Sequence, residues 1–163
     1  MKLSSLEIKV ADETFLATAL LHREHPDRAD FTISEIVERA RREKLSPELR
    51  PGVRVHATLH CVANRPPNPG RYRMLYATGE RTRRLLLEGD DIYAGRTGKI
   101  FPDPEEVPAE YRELIEWAKR RYRAGGPRAR RLEGVFQLFG LGKDLWSGED
   151  PDEYVRRLRE GWE

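Results

Sequence analysis

From Asp12 onward, Phe15, Leu16, Ala19 and Leu20 share one face at helical spacing, which predicts a core helix with Asp12 as N-cap and His25-Pro26 as its stop. A second start is written in Thr32-Ile33-Ser34-Glu35, a capping box. Phe31 and Ile36 stand where a hydrophobic staple closes across it, and Ile33, Ile36, Val37 and Ala40 stripe a helix to about Lys44. After Pro51-Gly52, Val55, Leu59 and Val62 recur at helical spacing while Arg54, Thr58 and Cys61 take another face, predicting a third, shorter helix. The prolines of Arg65-Pro66-Pro67-Asn68-Pro69-Gly70 end it, because they fix φ and remove donors. Tyr72, Met74 and Tyr76 then alternate with Arg71, Arg73 and Leu75, and a Thr78-Gly79-Glu80 turn leads to a second run over 81–89, so a β-hairpin follows. The Gly/Pro-rich stretch from Asp90 to Pro104 reads as a connector. Beyond it Pro108 opens a helix with Tyr111, Leu114, Ile115 and Ala118 inward and Gly125-Gly126-Pro127 as its stop.

Three helices followed by a hairpin is the order of a winged-helix domain, in which the third helix enters the DNA major groove and the hairpin lies along the backbone. The expected class is therefore α+β: a winged-helix-like domain with one extra helix over 1–126, then an extended tail over 127–163 ending in a short helix. The 163 residues carry 30 Lys/Arg against 28 Asp/Glu, so overall charge does not mark a nucleic-acid binder. Its distribution says more. Arg71, Arg73, Arg81, Arg83 and Arg84 crowd the hairpin with Glu80 as the only acid between them, too few partners for an ion-pair network of the heat-adapted kind. These five, with Arg54 and Thr58 of the third helix, are the candidate DNA contacts.

The tail has a different character. Leu132, Val135, Phe136, Leu138, Phe139, Leu141, Leu145 and Trp146 follow closely on one another with four glycines nearby, an apolar density that a regular self-packed unit does not readily cover. Asp150-Pro151-Asp152-Glu153 then supplies an acidic N-cap, proline at the first helical position and glutamate at the capping-box position. The helix it starts closes at Gly161, and so short a helix needs a surface to lie on.

The ordering of residues 140–163, GLGKDLWSGEDPDEYVRRLREGWE, resembles the C-terminal tails of VapB-type antitoxins. The resemblance covers about the last thirty residues. It implies a partner, a PIN-domain ribonuclease toxin clasped by an extended apolar segment and a short amphipathic helix. It also implies toxin-binding roles for Leu141, Leu145, Trp146, Tyr154, Val155, Arg156, Arg157, Leu158, Arg159 and Trp162, with one of the three arginines entering the toxin's carboxylate cluster in place of its metal charge. The front half departs from that family: residues from Val53 onward, VRVHATLHCVANRPPNPGRYRMLY, resemble a domain found in uncharacterised bacterial proteins.

Remaining signals are weaker. His56 and His60 lie four apart beside Cys61, without a second ligand pair at a suggestive spacing, so no metal site is expected. Glu7-Ile8-Lys9 has the spacing of a nuclease E-x-K, but no upstream aspartate completes a carboxylate set. No nucleophile, base or cofactor motif supports an enzyme. Mean hydropathy of -0.75 and the absence of any long apolar run argue against a membrane span, the first residues do not read as a signal peptide, and the single cysteine fits a cytoplasmic chain. The expectation is an antitoxin that binds a toxin and its own operator DNA. The alternative is a stand-alone winged-helix regulator whose tail makes a homodimer.

Overall fold

The structure, a computed structural model, describes residues 7–47 and 50–125. The chain divides into two units, Met1–Gly126 and Pro127–Glu163, and all described residues belong to the first. Helix α1 (Val10–Glu24) is followed by strand β1 (Phe31–Thr32), α2 (Ile33–Glu43), and a third helix that begins as α3 (Gly52–Val55) and continues as a π turn over His56–His60. Strands β2 (Leu75–Ala77) and β3 (Thr82–Leu85) come next, then a 3-10 turn (Ala109–Tyr111) running into α4 (Arg112–Ala124). Among the described residues the fold is α+β, four helices with one small antiparallel sheet of order β1-β3-β2.

Helix α1 is the centre. It packs against α2, α4, the third helix and β3, and every residue from Ala11 to Ala19 is buried. Burial of a side chain such as Phe15 or Leu16 contributes about 1.5–3 kcal/mol. A helix enclosed on all sides must satisfy its polar groups internally. Asp12 is not the N-cap that its position suggests; Lys9 is. Asp12 lies in the first turn, fully buried, with Lys99 Nζ 2.8 Å from its Oδ1. Glu13 takes Arg50 at 2.7 Å, and the Thr14 and Thr18 hydroxyls donate to the carbonyls of Val10 and Thr14.

The start of α2 follows its sequence signature. Thr32 Oγ1 accepts from the Glu35 amide at 3.2 Å while the Thr32 amide donates to Glu35 Oε2 at 2.8 Å, and Phe31 and Ile36 are both fully buried. Arg28 grips the same carboxylate and, with the backbone bond, holds Glu35 down to about 2. Helix α2 ends at Lys44 in a left-handed cap, φ 57°.

The third helix differs from its sequence reading in which face it buries. Val53, Ala57 and Cys61 point inward, Val55 is 46% exposed, and Leu59 is only half-buried. The inward stripe starts two residues earlier than expected, at Val53 in the α segment, and of the expected Val55, Leu59 and Val62 only Val62 is fully buried. The helix then continues as a π turn, with the Cys61 amide bonded to His56 O, five residues back.

The hairpin is shorter than the alternation predicts. Leu75, Tyr76 and Ala77 pair with Leu85, Arg84 and Arg83, but upstream the ladder changes partner. The Arg73 amide donates to Lys99 O, the Gly98 amide to Arg71 O, and the Met74 and Leu75 amides both go to Cys61 O. The 90–104 segment is thus part of the packed structure rather than a loose connector, with Arg96 and Pro102 buried within it. Tyr111, Leu114, Ile115 and Ala118 of α4 face inward as their spacing predicts. Among the described residues no helix is long and apolar enough to cross a membrane.

Candidate nucleic-acid interface

Strand β1 is only two residues long, yet it decides where the hairpin tip sits. Phe31 and Thr32 pair with Arg83 and Thr82 of β3, and the Ile33 amide, first in α2, donates to Arg81 O at 3.0 Å. Thr78 at the tip donates through Oγ1 to Asp30 at 2.7 Å. These bonds tie the turn between β2 and β3 to the N-terminus of α2, and the third helix lies alongside.

The three elements enclose a cleft of about 530 Å³. Its walls are Thr32, Ile33 and Ser34 at the start of α2, Arg54 and Thr58 on the third helix, Arg65 just beyond it, and Glu80, Arg81 and Arg83 from the hairpin. Four arginines face one glutamate. The positive end of the α2 dipole points the same way, so this concavity suits an anionic ligand. Arg65 lies close enough to Arg83 to raise the cost of charging it. Burial, and secondarily Arg65, pulls the Arg83 guanidinium down to about 10, which leaves it cationic at neutral pH.

The seven residues named from sequence separate into groups here. Arg54, Thr58 and Arg81 are exposed at the cleft, with Thr58 Oγ1 bonded back to Arg54 O at 2.7 Å. Arg83 also reaches it but is wholly buried: its guanidinium donates to the carbonyls of Ala57, Thr58, Gly79, Glu80 and Thr82, which commits it to the domain's own backbone. Arg84 points elsewhere, bidentate to Asp90 at 2.7 and 2.8 Å and stacked 4.4 Å from the Tyr76 ring. Arg73 donates to Gly98 O at 2.7 Å, and Arg71 is exposed outside the cleft. Alternation alone put all five hairpin arginines into one patch; the short ladder disperses them.

Comparison with protein-family models, with curated proteins and with solved structures finds no match to the chain. The geometry must therefore carry the reading unaided.

Sequence reasoning missed Arg65, hidden in a proline-rich stretch that reads only as a helix breaker, and it missed Thr32 and Ser34, whose capping role drew attention from their position. His56 and His60 stack edge to face with ring centres 4.9 Å apart, and His56 Nδ1 is 2.9 Å from Gly52 O. Cys61 is buried, which pushes its thiol far up. Among the described residues no three His, Cys, Asp or Glu side chains come together as a metal-holding group. Lys9 of the E-x-K spacing pairs with Glu106 at 2.6 Å. The ten tail positions from Leu141 to Trp162, the arginines Arg156, Arg157 and Arg159 among them, lie outside the described residues.

Proposed function

We propose that residues 7–125 are a winged-helix module that binds double-stranded DNA, and that the chain as a whole is the antitoxin of a type II toxin–antitoxin pair, acting in the cytoplasm. The observation that carries the DNA reading is the cleft, where an α2 N-terminus, a third helix and a hairpin turn meet around Arg54, Arg65 and Arg81. The topology supports it: a strand between the first two helices pairs with the far strand of the hairpin, which brings the wing beside the recognition helix. Backbone phosphates would be held by the three free arginines, each charge-assisted contact releasing condensed counterions. The antitoxin half of the proposal rests on the likeness of residues 140–163 to VapB tails. There Trp146 and Leu158 serve as buried anchors, and one of Arg156, Arg157 and Arg159 as the plug of a PIN-domain active site.

Binding of a duplex carrying the chain's own upstream region, measured by fluorescence anisotropy across a salt series, tests the first half. Replacing Arg54, Arg65 and Arg81 together with alanine should flatten the log–log salt slope by about 2–3, since each phosphate contact contributes about 0.9. An unchanged slope would remove the cleft from DNA binding. For the second half, a peptide of residues 141–162 should inhibit a PIN-domain ribonuclease, and Trp146→Ala should weaken that inhibition by about 2 kcal/mol. A peptide that binds the full-length chain instead would make the tail a self-association element.

A further inference from the structure

Three large apolar side chains stand exposed among the described residues: Val55, Ile92 and Tyr93. Ile92 and Tyr93 belong to the 90–104 segment, remote in sequence and in lining from the cleft. Val55 is different. It sits between Arg54 and Thr58 on the outer face of the third helix, with 46% of its surface open, while the inward positions are filled by Val53, Ala57 and Cys61. Nothing in the packing of the domain calls for a β-branched apolar residue there, where such residues lower helix propensity.

Thr58 adds to the same surface. Its hydroxyl hydrogen is donated inside the helix to Arg54 O, so the side chain offers a ligand its γ-methyl and an acceptor oxygen but no donor. The outer face of the helix therefore offers two branched methyl-bearing groups beside an arginine, and Arg54 and Thr58 of that face line a cleft in which Arg54, Arg65 and Arg81 outnumber the one acid, Glu80. Charge complementarity selects a polyanion as the occupant. Among polyanions, the B-DNA major groove is wide enough for a helix and presents the C5-methyl of thymine, whereas the deep narrow groove of duplex RNA admits no helix and uracil carries no methyl.

We infer that Val55, with the Thr58 methyl, forms an apolar reading surface for a thymine methyl group in the major groove, so that this face specifies sequence while Arg65 and Arg81 grip the backbone. The inference rests on the DNA-binding reading above and goes beyond it by naming a base and the atoms that read it. Arg54 flanks the surface at the groove edge. Arg54 and Thr58, four apart, share a face of the helix, and Val55 stands next to Arg54 in the same exposed stretch.

The test uses the full-length protein and a duplex selected from a random pool. Each thymine of the selected site is replaced singly by uracil, which deletes one methyl and nothing else. With wild type, one substitution should weaken binding about fourfold, the size of one buried methyl-sized group. With Val55→Ala the same substitution should have no effect, while Arg81→Ala should lower affinity equally for both duplexes. Val55→Ala must keep the wild-type melting temperature, as its exposure leads one to expect. If no thymine distinguishes wild type from Val55→Ala while salt-dependent binding persists, the reading surface is wrong and the DNA-binding proposal stands. If no duplex is selected, or duplex RNA of matching sequence binds equally well, both fall.

Discussion

Arg83 and Arg96 divide between them the last four carbonyls of the third helix. Arg83 donates to Ala57 O at 2.9 Å and Thr58 O at 3.2 Å, and Arg96 to Leu59 O and His60 O at 2.7 Å each. The terminal carbonyls of a helix have no partner within it and carry the negative end of its dipole. Here two buried guanidiniums meet them, one from the hairpin and one from the 90–104 segment. Neither arginine has a carboxylate partner among the described residues. Arg96 goes on to bond the carbonyls of Arg65, Pro66 and Tyr72, so the proline-rich stretch after the helix is held by the same side chain.

Arg83→Met should therefore destabilise the domain by about 3 kcal/mol, since it keeps the bulk and strands several buried carbonyls. Arg81→Ala, two residues away and exposed, should stay within about 0.5 kcal/mol. Urea denaturation of the two variants measures the difference. Equal stabilities would show that Arg83 is a surface residue in solution.

Stability should also fall on mild acidification, and His22 is a named cause. It is buried on α1 against Phe31, accepts from the Leu85 amide through Nε2 at 3.2 Å, and has Arg121 Nη2 3.2 Å from Nδ1. A neutral ring that accepts at Nε2 carries its proton on Nδ1, so the Arg121 approach is donor against donor. Burial first, then Arg121 and Arg84, lowers His22 to about 3. With the folded value below the unfolded one, the unfolded chain takes up the proton first. The contribution is complete above about pH 6.5 and is lost towards pH 3, with a slope of at most about 1.4 kcal/mol per pH unit. His56, also lowered by burial, acts in the same direction. His22→Gln, which keeps an acceptor for Leu85, should flatten the pH dependence between 6.5 and 5; an unaltered curve would assign it to other groups.

The pairing of residues 71–73 with 98–99 leaves no space at Gly98. A Cβ there would lie 2.6 Å from Arg71 O, a backbone atom unable to swing aside. Gly98→Ala should cost about 2 kcal/mol by forcing the two segments apart. Calorimetry of the variant checks this, and a melting temperature within a degree of wild type would mean that the 90–104 segment is not anchored there.

Deleting residues 127–163 should leave a protein that still unfolds cooperatively and binds DNA with the same salt slope, because the chain divides into two units after Gly126 and the first has its own core from Ile8 to Ala118. Neutralisation of a PIN-domain ribonuclease should vanish. Loss of the thermal transition would show that the tail completes the core.

What was legible in the sequence was local. The capping box at Thr32 and Glu35 is a four-residue signal and is found where it was read; the inward stripe of α4 and the turn near Thr78-Gly79-Glu80 are equally short-range. Phe31–Thr32 could not be seen as a strand, because two residues acquire that state only by pairing with β3, fifty positions on. Asp12 has the composition of an N-cap and lies where one fits, yet its carboxylate is taken by Lys99, 87 residues away. The face of the third helix was misjudged because Val53, Ala57 and Cys61 recur at helical spacing as Val55, Leu59 and Val62 do, and spacing alone does not say which stripe meets the neighbouring helices. Nor does composition separate Arg83 from Arg81: Arg83 lies within β3, paired with Phe31 and Ala77, and is buried, whereas Arg81 lies in the turn just before the strand and is exposed.

The hairpin tip has one more consequence. Between β2 and β3 it spans four residues, and the Thr78 amide donates to Thr82 O, the Thr78 hydroxyl meets that of Thr82 at 2.8 Å, and Arg83 bonds the carbonyls of Gly79 and Glu80 from beneath. A turn so fully bonded has already surrendered its conformational freedom at folding. A ligand that engages Arg81 then meets a preorganised arm, and the ordering entropy that a loose loop would subtract from affinity does not arise.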